Sequence, residues 1–313
     1  EDLQRAYMQL AAGQPVSLPR KTTAFIHWAR ALADYAREAD LAEDLAFWRE
    51  IDRMPNPRLP LRSENGDQDN IEALAATVSL SLDAEATQTL LQGLPEVFGS
   101  DMQTGLLAAL AWALRAWTGE ARLKLAMEGH GRDLALPGMD ITRTVGWFTT
   151  LFPVALDIRD AIEIPAVLAR VQEQLGQASA RAVSYGLLRY LRGEAGLAGE
   201  MPLISFNYLG QFQGEEGGGF RPAVEDQGPE RHPHNHRPHM LDFTASIVDS
   251  TLLLRVSYPD HRLTEQAIRA LITLWSDALT SLVETMESAG LIADASSVMD
   301  EEDFDDLLAE LEL

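Results

Sequence analysis

Apolar positions along the chain switch between two spacings, and the switches divide it into elements. From residue 22 to 39, Phe25, Trp28, Ala29, Leu32, Tyr35 and Ala36 recur at helical spacing, which predicts a helix with one core-facing stripe. His27 falls off that stripe and is expected to be a solvated surface histidine. Residues 2–13 and 41–53 read as two further helices. Residues 54–72, with Pro55, Pro57, Pro60, Gly66 and several acids, read as a linker between lobes. Val78, Leu80 and Leu82 then alternate as a strand. Asp83 is placed to cap a helix reaching residue 94, and residues 95–100 are expected to break it. A helix over 102–118 carries Leu106, Leu107, Leu110, Leu114 and Trp117 on a face broad enough to require burial.

The second half repeats the alternation. In residues 123–128, Leu123, Leu125 and Met127 point to one face of a strand and Lys124, Ala126 and Glu128 share the other. Residues 141–154 mix β-branched and aromatic residues with Gly146 and Pro153, as a loop entering a strand does. A helix over 165–182 has Pro165 in its first turn and Val167, Leu168, Val171 and Leu175 on one side. A short helix starts at Ser184, and the stretch from there to residue 200 is expected at the surface. An apolar strand over 203–212 runs into a glycine-rich loop through Gly219. Leu241, Phe243, Ala245 and Ile247, then Leu252, Leu254, Val256 and Tyr258, alternate about an Asp249-Ser250 turn, which predicts a hairpin. A long helix over 264–287, with Ile268, Leu271, Trp275, Leu279 and Leu282 inward, should close the globular part near residue 289.

Ionisable groups crowd where the 123–128 strand stops. In Glu128-Gly129-His130-Gly131-Arg132-Asp133, two glycines permit a sharp path that would gather Glu128, His130, Arg132 and Asp133 around one small volume. A solvated strand-to-loop corner is the plain alternative. Asn207 and Tyr208 lie at a second such corner. His232, His234, His236 and His239 suggest a metal, but nearby prolines and the lack of a carboxylate at regular spacing favour a flexible loop, and no metal is assigned.

Composition narrows the partners. With 25 basic and 48 acidic residues the formal charge is −23, which repels nucleic acid and anionic membranes and leaves basic or mixed protein surfaces as partners. The chain has no cysteine, so disulfides and thiolate catalysis are excluded. That absence, with no apolar run of about 18 residues and no signal-peptide pattern, makes the expected location cytoplasmic. The chain opens inside a helical pattern without an initiator Met and is expected to be a piece of something larger. Residues 300–313 hold eight acids and no base, yet Phe304, Leu307, Leu308 and Leu311 fall at i, i+3, i+4 and i+7. That stripe predicts a peptide that folds into a partner's groove, against the alternative of a solvated, disordered end.

Three motifs carry a resemblance. Glu128-Gly129-His130-Gly131-Arg132, then Arg143-Thr144-Val145-Gly146-Trp147-Phe148-Thr149 with Pro153, then Phe206-Asn207-Tyr208-Leu209-Gly210-Gln211-Phe212 resemble, in order and spacing, signature motifs of nonribosomal peptide synthetase epimerization domains. The resemblance covers roughly residues 1–290. It implies an α/β, chloramphenicol-acetyltransferase-like fold of two lobes. Residues 1–70 would be the end of the N-terminal lobe and a linker, 71–290 the C-terminal lobe, and 291–313 an acidic docking-like tail. The family also carries a His-His-x-x-x-Asp-Gly motif in its N-terminal lobe, and no such run occurs in this sequence.

The activity implied is inversion at the α-carbon, L to D, of an aminoacyl or peptidyl thioester. The substrate would arrive on the phosphopantetheine arm of an upstream carrier domain, with no metal or other cofactor bound directly. Such chemistry needs a base, an acid on the opposite face and donors for the developing oxyanion. The resemblance makes Glu128 an acid/base, makes the absent histidine either the other proton-transfer group or a stabiliser of the enolate, and places Asn207 and Tyr208 along the channel. Tyr208 would donate a hydrogen bond or shuttle a proton and Asn207 would orient the thioester; a strand-end tyrosine with a wet hydroxyl is the alternative. Glu128 is expected to be partly buried beside its strand neighbours. His130 and Arg132 are expected to brace the loop, Asp133 to pair with Arg132 or another base, and Trp147 and Phe148 to pack or to shape the channel wall. The tail, through Phe304, Leu307, Leu308 and Leu311, would select a downstream synthetase, and the missing N-lobe segment would complete the domain. Two other classes remain: an amide-forming condensation-type domain, and a non-catalytic domain that recruits a carrier or tailoring enzyme.

Overall fold

The computed structural model describes residues 2–62, 70–212, 228–229 and 231–288. Three helices open it: α1 (Asp2–Ala11), α2 (Phe25–Glu38) and α3 (Ala42–Arg53). There follow β1 (Ala75–Leu82), α4 (Ala84–Phe98), α5 (Met102–Thr118), β2 (Arg122–Gly129), β3 (Thr150–Asp157), α6 (Ile164–Ser179) and α7 (Ala182–Gly186). A π-helical stretch, Leu187–Arg192, leads on to β4 (Ile204–Phe212), the hairpin β5 (Leu241–Val248) and β6 (Thr251–Pro259), and α8 (Glu265–Ser288).

The strands form one mixed sheet in the order β1-β6-β5-β4-β2-β3. β4 runs parallel to both neighbours, β2 and β5, while the outer pairings are antiparallel. This is the α/β architecture expected. The long apolar stripe of α8 packs against α5 and α4, and Trp275 anchors it by donating from Nε1 to the Leu106 carbonyl at 3.0 Å beneath Phe206 and Phe243. Asp83 caps α4 as its position predicts, accepting from the Ala86 amide at 2.9 Å.

Four expectations need correction. Helix α4 continues through Pro95 to Phe98, because a proline in the last turn removes only one backbone bond; the chain turns at Gly99, whose φ is +57°. Trp48 and Ile51 of α3 share one core with the sheet. The Trp48 indole donates to Ser184 Oγ at 2.9 Å. The stretch after Ser184 is not all surface: Leu187, Leu188 and Leu197 are buried, and Arg192 donates to the Ala36 and Ala39 carbonyls at the end of α2. The polar face of β2 is covered as well, with Ala126 buried and Lys124 enclosed beside the Glu200 carbonyl. Finally, the histidine stretch is tied down. Asn70 donates to the Arg237 and His239 carbonyls, and His239 Nδ1 lies 2.7 Å from the Pro202 carbonyl. The glycine-rich loop from Gly214 to Gly219 and the tail residues Phe304, Leu307, Leu308 and Leu311 lie outside the described residues.

Candidate active site at the ends of β2 and β4

The site follows from register. In the parallel pair of β2 and β4, Leu125 faces Ile204, Ala126 faces Ser205 and Met127 faces Phe206. One step further, Glu128 and Asn207 come abreast on the same face, and Asn207 Nδ2 donates to Glu128 Oε2 at 3.1 Å. Successive strand residues alternate, so Tyr208 turns to the opposite, helix-covered face and packs against the main core. Burial raises the pKa of its hydroxyl above the ordinary tyrosine value, and the Asp101 carboxylate pushes the same way. Tyr208 is therefore a hydrogen-bond donor at neutral pH. A bulge after Tyr208, with Gly210 at φ +87°, shifts the register against β5 beside the site before pairing resumes at Gln211.

These strand ends open into a cleft of about 1060 Å³. Glu128, Asn207 and Tyr208 form one side, the corner between α4 and α5 with Ser100, Asp101 and Thr104 another, and Leu175 and Ser179 of α6 a third. In open α/β sheets ligands bind at the carboxyl ends of parallel strands, and the cleft has that position. The corner is held from two sides. Asp101 caps α5 by accepting from the Thr104 amide at 2.7 Å, and Gln172 of α6 donates to the Gly99 carbonyl at 3.1 Å.

The loop after β2 is braced from behind. Arg132 donates to the Ile141 carbonyl and, at 2.9 Å, to that of Thr144, while its guanidinium lies 3.9 Å above the centre of the Phe148 ring. Phe148 packs against Trp28 and Phe25 of α2, with ring centres 4.6 and 5.2 Å away. Gly131, at φ +66°, passes so close to this support that a Cβ there would sit 1.7 Å from the Phe148 carbonyl oxygen. Gly146 meets Phe25 in the same way, at 2.2 Å.

Of the residues singled out from sequence, Glu128, His130, Asp133, Asn207 and Tyr208 line the cleft together. Arg132 and Trp147 do not. Arg132 is turned back beneath its own loop as a brace, and Trp147 is 79% exposed, so it neither packs nor shapes the wall. Phe148 packs as expected. Asp133 pairs with His130, Nε2 to Oδ1 at 3.2 Å, rather than with Arg132. Glu128 is exposed rather than partly buried, because it projects past the last core residue of its strand, Met127. Sequence reasoning missed Ser100, Asp101, Thr104 and Gln172; the only local signal was an Asp placed to cap a helix.

Fold and site together define a domain of the condensation superfamily, of the kind found in nonribosomal peptide synthetases. The chain belongs to the condensation-domain family, whose profile matches residues 1–304. A component of the linear gramicidin synthase of Brevibacillus parabrevis is 37% identical over 295 residues, which is 92% of this chain and 4% of that protein. A chondramide synthase of Chondromyces crocatus is 39% identical over 268 residues, 82% of this chain and 7% of its own length. Among solved structures, the epimerization domain from the third module of tyrocidine synthetase B superposes with a TM-score of 0.81 at 31% identity, over 91% of this chain and 64% of that one. The X-domain from teicoplanin biosynthesis shares the fold, at a TM-score of 0.62 and 22% identity, over 91% of this chain and 64% of its own. The chain thus spans a small part of these synthetases and under two thirds of the tyrocidine domain.

Proposed function

We propose that this chain carries the glutamate half of an epimerization site, which inverts the α-carbon of an aminoacyl or peptidyl thioester held on a carrier protein. The observation that carries the reading is the pairing of Glu128 with Asn207, at 3.1 Å, on a cleft that Tyr208 also lines. Asn207 occupies one carboxylate oxygen and so fixes the orientation of the other, which takes the α-proton. The electron pair left behind moves into the carbonyl, and Tyr208, protonated at neutral pH, is a donor suited to the resulting enolate oxygen. Return of a proton to the opposite face completes inversion. In the family resembled, a histidine of the N-terminal lobe is the second proton-transfer group or stabilises the enolate. Likeness to the tyrocidine epimerization domain supports this assignment. The phosphopantetheine arm of an upstream carrier domain would bring the substrate into the cleft, and a cytoplasmic setting fits that supply.

The match to the condensation family favours a second reading, amide formation between two carrier-bound substrates. One experiment separates them. Deuterium uptake at the α-carbon of a carrier-bound aminoacyl thioester is measured in heavy water with this chain, with the full-length domain that includes the histidine lobe, and with Glu128→Gln in that domain. Uptake by the full-length domain that Glu128→Gln abolishes is the expected result. No uptake by a folded, carrier-binding domain, with amide product when donor and acceptor carriers are mixed, would overturn it.

A further inference from the structure

The group that meets Glu128 depends on where β4 starts, and that start is held by side chains the chemistry does not use. Three residue pairs join β2 to β4, from Leu125–Ile204 to Met127–Phe206. Apolar burial opposes a slip of one residue in so short a ladder. A slip of two keeps each side chain on its own face and would set Ser205 beside Glu128 in place of Asn207. A brace on residues 201–203 opposes that slip. Asn56, which follows α3, donates from Nδ2 to the Met201 carbonyl and accepts the Leu203 amide on Oδ1, both at 3.1 Å. His239, 5% exposed, meets the Pro202 carbonyl at 2.7 Å through Nδ1; a carbonyl only accepts, so Nδ1 carries the proton. The Leu203 carbonyl in turn accepts the Met240 and Leu241 amides, at 2.7 and 3.0 Å, where β5 begins. Two segments far apart in sequence thus grip the residues directly before Ile204, and a slide of two residues, about 6.6 Å, would break all five bonds.

We infer that Asn56 and His239 are positioning residues of the site: by holding residues 201–203 they set the step of β4 along β2 and so deliver the Asn207 amide to Glu128. The inference deepens the proposed function and rests on it for what that pair does. Neither residue is among those lining the cleft, so both act through the backbone of β4. The His239 imidazole serves here as a hydrogen-bond donor to a carbonyl, which gives the ordered end of the histidine stretch a use.

The chain has no cysteine, so introduced cysteine pairs report register without background. Glu128→Cys with Asn207→Cys places two thiols abreast on neighbouring strands, within disulfide reach. Glu128→Cys with Ser205→Cys separates the Cα atoms by about 8 Å, beyond that reach. Oxidation rates of the two pairs are measured in this chain and after substitution of the brace. The first pair should close at least about tenfold faster, and Asn56→Ala with His239→Ala should cut that ratio about tenfold, the scale of the side-chain bonds removed. Each alanine is also tested singly, where the ratio should fall about threefold, so the outcome does not hang on the double variant folding. Asn56→Asp keeps the acceptor for the Leu203 amide and should recover part of the ratio. Asp83→Ala, which uncaps α4 away from β4, also lowers stability and should leave the ratio unchanged when variants are compared at matched stability in urea. A ratio that stays within about twofold in all the brace variants, or that falls equally in Asp83→Ala, would overturn the inference. The bridges form without substrate, so failure of α-proton exchange would leave the ratios standing, and unmoved ratios would leave Glu128 chemistry standing.

Discussion

Gly131 and Gly138 lie in one loop at nearly the same backbone angle, φ +66° and +71°, but in opposite surroundings. A Cβ at Gly138 meets nothing within 4 Å, whereas at Gly131 it would sit 1.7 Å from the Phe148 carbonyl oxygen. Alanine at Gly138 therefore carries only the left-handed backbone penalty, about 1–2 kcal/mol. At Gly131 the same penalty is joined by displacement of backbone, for which no side-chain rotamer can compensate. Phe148 has to retreat, and with it go its contacts to Trp28, Phe25 and Arg132. Each aromatic pair is worth about 0.5–1.5 kcal/mol and the stacked guanidinium a similar amount. Gly131→Ala should thus lose about 3–5 kcal/mol in urea denaturation, against about 1–2 for Gly138→Ala. Amide exchange over residues 130–149 should show the loop opening only in the first variant. Losses equal to within about 0.5 kcal/mol would refute the claim that the loop is clamped on Phe148.

Two further outcomes can be measured. Burial lowers the pKa of Lys124, with Asp52 and Glu200 opposing and Arg189 assisting. The folded chain then releases that proton at lower pH than the unfolded one, so stability should rise with pH on approach to the ordinary lysine value of about 10.4. Lys124→Met should flatten that slope just below the ordinary lysine value of about 10.4, and an unaltered slope would show that Lys124 is not its source. The docking role expected of the tail from sequence predicts that Leu307→Ser with Leu308→Ser abolishes binding to a downstream synthetase while leaving α-deuterium uptake unchanged; unaltered affinity would dismiss that role.

Much of the fold was legible because burial is one-sided. The stripe Phe25, Trp28, Leu32 and Tyr35 does face a core, and the Asp249-Ser250 turn does close a hairpin, with both residues at positive φ. The misses have one physical origin: local pattern does not report what a distant segment will cover. Lys124 lies on the polar face of an alternating strand, and nothing near it in sequence announces that the segment at Glu200 will close over it. Pro95 misleads for a related reason. A proline stops a helix only where the bond it removes is not already near the end.

The site shows how a long-range choice of register selects chemistry. Glu128 and Asn207 are 79 residues apart, so no spacing rule links them. What links them is the burial of Met127 against Phe206, each 1% exposed, in the parallel ladder one step earlier. A slip of one residue would turn one strand's apolar set out to the polar face, which costs about 2–3 kcal/mol for each large side chain exposed. The same slip would bring Tyr208 or Phe206 beside Glu128 and remove the amide that orients its carboxylate. Apolar burial in this ladder therefore fixes which polar group meets Glu128, and shortening Phe206 to Ala should loosen the Glu128–Asn207 pair without touching either residue.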